Sequence, residues 1–238
     1  MVLKFVILIS INFVYTSSIS QTCIIGKISD NKIYVGADSR QTKFPFNNLT
    51  NKRDTTFLSV CKIFTTPTYS FAVAGFNPNL LTDSTFASIK KGGSLSEIGD
   101  RCQIAIVNIL AKSISDERVS DPYFFSKMFS VHSIASGLFI FGYENGIAKI
   151  LYIRFIVGEN GIGTNQSFVN KQEAMGHTFE IQDLLPVKST WNKGPVSGIK
   201  KLIAMQIEKH DTFVAHPIDI IKITSKRKRW VSKKQKCD

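Results

Sequence analysis

The sequence predicts an α+β fold in which hairpins of antiparallel strands alternate with helices. Three observations carry this. Runs rich in β-branched and aromatic residues come in pairs across tight-turn residues, as around Asp30 and Asn31 and around Asn145 and Gly146. A long segment of helical spacing places Ile98, Cys102, Ala105, Ile106, Ile109 and Leu110 on one face. An amphipathic helix and one last strand close the order ββ-ββ-αα-ββ-α-β. Such hairpins and helices bury their apolar faces well as two stacked sheets covered by helices on both sides.

Residues 1–20 carry one cation, Lys4, then an apolar run to Tyr15 and a small polar stretch ending at Ser20. This is the pattern of a secretory signal, and the run is too short to span a bilayer comfortably. Export to a periplasm or the exterior is therefore expected, with a cytoplasmic location if the signal is unused. A hydrophobic propeptide or a buried first strand is the alternative reading. Ser18 and Ser20 suit a cut before Gln21 better than one before Thr22. The predicted domain is 21–225, followed by a basic tail at 226–238.

Strands are predicted at 23–28 and 33–37. If Asp30 and Asn31 are the turn, partners across this hairpin sum to 61, which sets Thr22 opposite Ser39 and beside Asp38. Residues 43–56 read as a polar loop. A second hairpin, 57–64 with 69–75, places Lys62 near Phe71 and one strand length from Gly75. Helices follow at 79–91 and 95–113, broken by Gly92 and Gly93. Strands at 133–143 and 147–156 form the next hairpin. A loop spans 158–165, a weaker strand and turn 166–176, and a short helix begins within 178–185. After a loop at 186–195, a helix at 196–209 turns Ile199, Leu202, Ile203 and Ile207 inward, and 217–224 is the last strand.

The chain's 30 Lys and Arg outnumber its 18 Asp and Glu, but eight of the cations lie in residues 222–238 beside a single acid. The body is only mildly basic. The tail reads as a solvated, disordered extension, with contact to an anionic surface as the other possibility; no specific nucleic acid is expected. Cysteines at 23, 61, 102 and 237 lack CxxC spacing, so neither a metal site nor another cofactor is expected. Cys23 and Cys61 read as small core residues, with a disulfide left open if the chain is exported.

Two blocks narrow the function. Residues 22–42 end in Gly36-Ala-Asp-Ser-Arg-Gln-Thr42, and Cys61-Lys-Ile-Phe64 leads to Phe71-Ala-Val-Ala-Gly-Phe76. These resemble the proteasome subunit family of N-terminal-nucleophile hydrolases, with weaker similarity over 133–156 and 196–224. Asp38 lies sixteen positions after Thr22, as in catalytic β-type subunits. The resemblance implies a four-layer αββα sandwich and a threonine-type peptidase acting on peptide or protein substrates, alone or in an oligomer of like subunits.

Carried over residue by residue, processing would expose Thr22 as nucleophile with its own α-amine as general base. Lys62 would supply a buried ammonium, Asp38 its compensating carboxylate and Gly75 an oxyanion-binding N–H. Asp219 would support the amine, and Arg40 would be structural. The sequence departs from the family pattern at Gln21, where self-processing members carry glycine, and at Gly176-His-Thr178, where active members carry Gly-Ser-Gly. The segment between Arg40 and Lys62 is longer than usual, and a secretory signal is foreign to proteasomes. The alternative function is a catalytically inactive member of the fold serving as an assembly or binding module.

Overall fold

The computed structural model describes residues 16–20, 22–47, 50, 52–159, 161–169, 172–178, 181–210 and 213–232. Its strands are β1 (Thr16–Ser20), β2 (Ile24–Ser29), β3 (Lys32–Asp38), β4 (Arg40–Asn47), β5 (Lys52–Arg53), β6 (Thr56–Ser59), β7 (Ile63–Thr65), β8 (Ser70–Phe76), β9 (Ile134–Glu144), β10 (Ile147–Val157), β11 (Ile162–Val169), β12 (Ala174–His177), β13 (Ile218–Ile223) and β14 (Lys228–Ser232). The helices are α1 (Pro78–Lys90), α2 (Leu95–Ser120), α3 (Pro122–Met128) and α4 (Pro195–Lys209), with 3-10 turns at Gln182–Leu184 and Lys188–Trp191. The protein is a mixed α and β structure whose sheets are antiparallel throughout.

The larger sheet runs β11-β10-β9-β8-β1-β4-β5, with β6 joined to β4 and β7 to β8; the smaller runs β12-β2-β3-β13-β14. Apolar side chains gather in three clusters. One joins α1, α2 and α3 to a face of the larger sheet through Phe71, Leu81, Ile98, Ile106 and Leu138. A second brings residues of both sheets together, including Ile24, Val35, Ala72, Phe139 and Ile150. The third sets α4 on the smaller sheet through Ile25, Ile199, Leu202, Ile203 and Ile220. Alternation along each strand explains the division: in β3, Ile33, Val35 and Ala37 join one cluster while Tyr34 joins another.

The β2–β3 hairpin has the predicted register. Asp30 and Asn31 both take positive φ, the requirement of a two-residue turn matched to strand twist, and Ile24 pairs with Ala37. The neighbouring hairpin differs. Phe64, not Lys62, lies opposite Phe71, because Thr66 and Tyr69 close a four-residue connection. Lys62 instead uses its carbonyl to accept the N–H of Val73 at 3.1 Å.

The expected polar loop at 43–56 is largely strand. β4 and β6 pair from Arg40 with Ser59 to Lys43 with Thr56, so 56–59 leaves the β7–β8 hairpin to which it was expected to belong. The helix expected at 95–113 runs to Ser120, where Pro122 bars the preceding residue from helix and Asp121 caps α3 by accepting the N–H of Phe124 at 2.9 Å. Its buried face comprises Ile98, Cys102, Ile106, Leu110 and Ile114, while Ala105 and Ile109 are exposed. The start of α2 carries a full capping box between Ser94 and Glu97.

Two further expectations are corrected. The 158–165 loop gives way to β11 from Ile162, which pairs with β10 along its length. The tail was expected to be a disordered extension, yet Lys228–Ser232 form β14 against β13, with Trp230 partly buried. Of the leader, residues 1–15 lie outside the described residues, and Thr16–Ser20 form a strand between β4 and β8.

Candidate active site

The site is assembled at the ends of β2, β3 and β8. The tight β2–β3 turn fixes the register, and Asp38 leaves the ladder where β3 meets the chain around Thr22. The N–H of Asp38 donates to the Cys23 carbonyl at 3.2 Å, and the Cys23 N–H donates to Asp38 Oδ1 at 2.9 Å. Thr22 itself is fully buried. The residue following the predicted nucleophile is thereby held by the predicted site carboxylate.

Lys62 reaches the same carboxylate from the segment before β7. Its Nζ donates to Asp38 Oδ1 at 3.0 Å and to Oδ2 at 3.1 Å, and both side chains are almost wholly shielded from water. Oδ2 also accepts the N–H of Arg40 at 3.0 Å and that of Ala215 at 3.3 Å. Burial pushes the Asp38 carboxyl up from its ordinary value, opposed by the charge and hydrogen bonds of Lys62 and by the Cys23 and Arg40 amides. Burial likewise pushes Lys62 down, opposed chiefly by Asp38. Each is the other's main compensation, the condition for keeping two charges in a dry site. Burial and Asp38 also raise the neighbouring Cys23 thiol, which stays a thiol rather than a competing nucleophile.

Gly75 has φ near +96°, and a Cβ there would lie 2.3 Å from the Ala135 carbonyl oxygen and 2.5 Å from Ser136 Cα. No other residue fits. Ser136, its partner on β9, donates its hydroxyl to the Phe76 carbonyl at 2.7 Å and pins the end of β8. On its other side Gly75 pairs with Ser20, two residues before Thr22 in the chain. Asp219 is buried on β13 opposite Ala37, on the alternation that also turns Ile221 and Ile223 toward the larger sheet. Arg40 lays its guanidinium over the Phe57 ring at 4.8 Å.

Three contributors were not assigned from the sequence. Ala215 adds an N–H to Asp38 from 177 residues away, and no local signal marks it. His177, opposite Ile24, shares a 2.8 Å hydrogen bond between its Nδ1 and the Tyr152 hydroxyl. Burial first, and the charge of Lys62 second, lower its pKa to about 4, so the ring is neutral. Gly137 makes room for it, since a Cβ there would sit 2.6 Å from Nδ1. Finally, Cys61, read as a core residue with a disulfide left open on export, is disulfide-bonded, whereas Cys23 and Cys102 are free; the chain's fourth cysteine, Cys237, lies outside the described residues.

Among the described residues no three His, Cys, Asp or Glu side chains cluster as a metal site, and no helix is long and apolar enough to cross a membrane. No protein-family model matches the chain, and no curated protein matches it.

Proposed function

We propose that the chain is a threonine-type amide hydrolase, a peptidase resembling a proteasome β subunit, activated when cleavage before Thr22 frees its α-amine. The observation that carries this reading is the buried Lys62–Asp38 pair, whose carboxylate also binds the amide N–H next to Thr22. A buried ion pair is weak evidence for stability, because its desolvation cost rivals its attraction. One set against a threonine that processing can expose has a catalytic use.

In this reading the Thr22 hydroxyl oxygen attacks a peptide carbonyl carbon and its proton passes to the neutral α-amine. That amine's ordinary pKa of about 7.7–8 leaves much of it unprotonated near neutrality, and the nearby ammonium of Lys62 favours the neutral form further. The Gly75 N–H takes the oxyanion, a donor typically worth about 2.7–4 kcal/mol of barrier. The C–N bond breaks as the α-ammonium returns the proton to the leaving nitrogen. Water then cleaves the Thr22 ester with the same amine as base.

In this reading Asp219 supports the amine from β13 and the chain folds as a four-layer αββα sandwich of the N-terminal-nucleophile type, a reading supported by separate apolar clusters under α1 to α3, between the two sheets and under α4. The position of β1, an extended segment between β4 and β8, supports an extended peptide as substrate, bound by strand addition. The disulfide at Cys61 suits an oxidising compartment and so supports export.

The test is the mature N-terminus and its reactivity. Mass spectrometry of purified protein should find Thr22 first. A peptide electrophile whose adduct closes through both hydroxyl and α-amine should add once, and not at all to Thr22→Ala. A mature chain that keeps Gln21 or Met1 at its terminus overturns the proposal and leaves the assembly or binding module.

A further inference from the structure

A second site lies on the α4 face of the smaller sheet, away from the Asp38–Lys62 pair. Ile218 pairs with Asp38, whereas Lys222, four residues along β13, pairs with Tyr34, a separation of about 13 Å along the strand. There Tyr34, Lys222 and Arg229 form one row across β3, β13 and β14. Like charges directly opposite on neighbouring strands are destabilising unless something neutralises them. Nothing in the row does. Lys222 rests over the Tyr34 ring at 5.6 Å, a contact that keeps the ammonium in place without cancelling its charge.

This row lines a half-open cavity of about 440 Å³ together with Lys193, Arg227, Trp230 and the start of α4. Four cations line it and no carboxylate does. None of the four forms an ion pair among the described residues. The first turn of α4 carries no acid, and Gly194 gives it no side-chain cap, so its N-terminal amides add to the same positive field. Elsewhere Arg53 has Glu117 and Asp121 as partners, and Lys149 has Glu144.

We propose that this cavity binds a phosphate ester or polyphosphate, with Lys222 and Arg229 gripping one phosphate group across β13 and β14 and Lys193 and Arg227 closing over it. The proposal is independent of the hydrolase site and holds whether or not Thr22 is freed. Arginine and lysine from three separate segments converge on one volume, which suits a compact multivalent anion better than an extended chain. Soluble phosphate esters and phosphorylated lipid headgroups present the same chemistry, and the experiment separates them.

The experiment titrates the full-length protein with inorganic tripolyphosphate by calorimetry, with Trp230 emission as a second signal. Binding with one-to-one stoichiometry is expected, weakening with added salt. Lys222→Gln/Arg229→Gln should lose at least about tenfold in affinity, since two charge-assisted contacts go at once. Lys200→Gln/Lys201→Gln removes the same charge from the exposed side of α4 and should change affinity less than about twofold. In the absence of ligand, Lys222→Gln/Arg229→Gln should be as stable as the parent or more so, because a like-charge pair has gone.

Equal losses in the two double variants would reduce the effect to net charge and overturn the proposal, as would failure of the parent to bind. Should Lys222→Gln/Arg229→Gln not fold, Lys193→Gln/Arg227→Gln, on loops outside the sheet, gives the same reading. Phosphatidylcholine vesicles doped with a phosphoinositide supply the other arm. If they displace tripolyphosphate and sediment the protein, the source is a headgroup; if they do neither, it is a soluble phosphate.

Discussion

Replacing Asp38 with Asn tests the core of the site without any substrate. The Asp38 carboxylate takes two contacts from Lys62 Nζ, at 3.0 and 3.1 Å, and three from the N–H groups of Cys23, Arg40 and Ala215. An amide keeps one oxygen and turns an NH2 group toward donors. Lys62 then sits buried with no counter-charge, a loss of about 3–5 kcal/mol. Any amide left facing the NH2 group adds about 1–3 kcal/mol. Lys62→Met should cost less, because the carboxylate it strands keeps all three backbone donors and can take up a proton.

The two changes together should cost less than their sum by roughly 1–3 kcal/mol, the coupling between contacting groups. Urea unfolding reads this directly. With a slope near the upper end of about 1–3 kcal/mol per molar for a chain of this size, Asp38→Asn should lower the midpoint by about 1–2 M. Additivity within about 0.5 kcal/mol, or a larger loss from Lys62→Met than from Asp38→Asn, would mean that the two groups do not compensate each other.

Two further outcomes follow from the same geometry. His177 titrates near 4 in the folded chain against an ordinary 6.5, so between those values the unfolded chain binds a proton that the folded one refuses. Stability should therefore fall as pH drops from about 6.5 to about 4, by up to about 3 kcal/mol, and urea midpoints of His177→Gln should lose most of that slope. Gly75→Ala should cost about 3 kcal/mol or more, since positive φ and a contact at 2.3 Å act together. Gly146→Ala, also at positive φ but with nothing within 4 Å, should cost only about 1 kcal/mol; equal shifts in thermal midpoint would contradict the steric account.

What could be read from the sequence was local. Asp30 and Asn31 specify a two-residue turn, the turn specifies the register, and the register delivers Asp38 to Cys23, the residue after Thr22. Lys62 was identified by its motif but placed two residues from its true position opposite Val73, because the length of the Thr66–Tyr69 connection is set by hydrogen bonds among residues that any loop tolerates. Strands β4 and β5 were hidden for a different reason, and β6 was expected on the wrong partner. Polar residues and Pro45 interrupt the apolar ones in β4, and β4 is completed by β1, a segment that reads as a signal to be discarded. Ala215 carries no chemistry in its side chain and contributes only a backbone amide, so only folding reveals it.

The place of β1 has a mechanical corollary. Among the described residues it is the one strand joining β8 to β4, and β5 and β6 connect to the sheet through β4. Severing the chain before Thr22 and releasing the leader would split the sheet along that seam. The β4–β6 flap would remain anchored by Arg53 on Glu117 and Asp121, and by the Ser39–Val60 and Ser39–Ala215 backbone bonds. Two rows of backbone donors and acceptors would then face each other across an open slot, free to take the next extended strand that enters. Maturation would thus create the groove and loosen one of its walls in the same event.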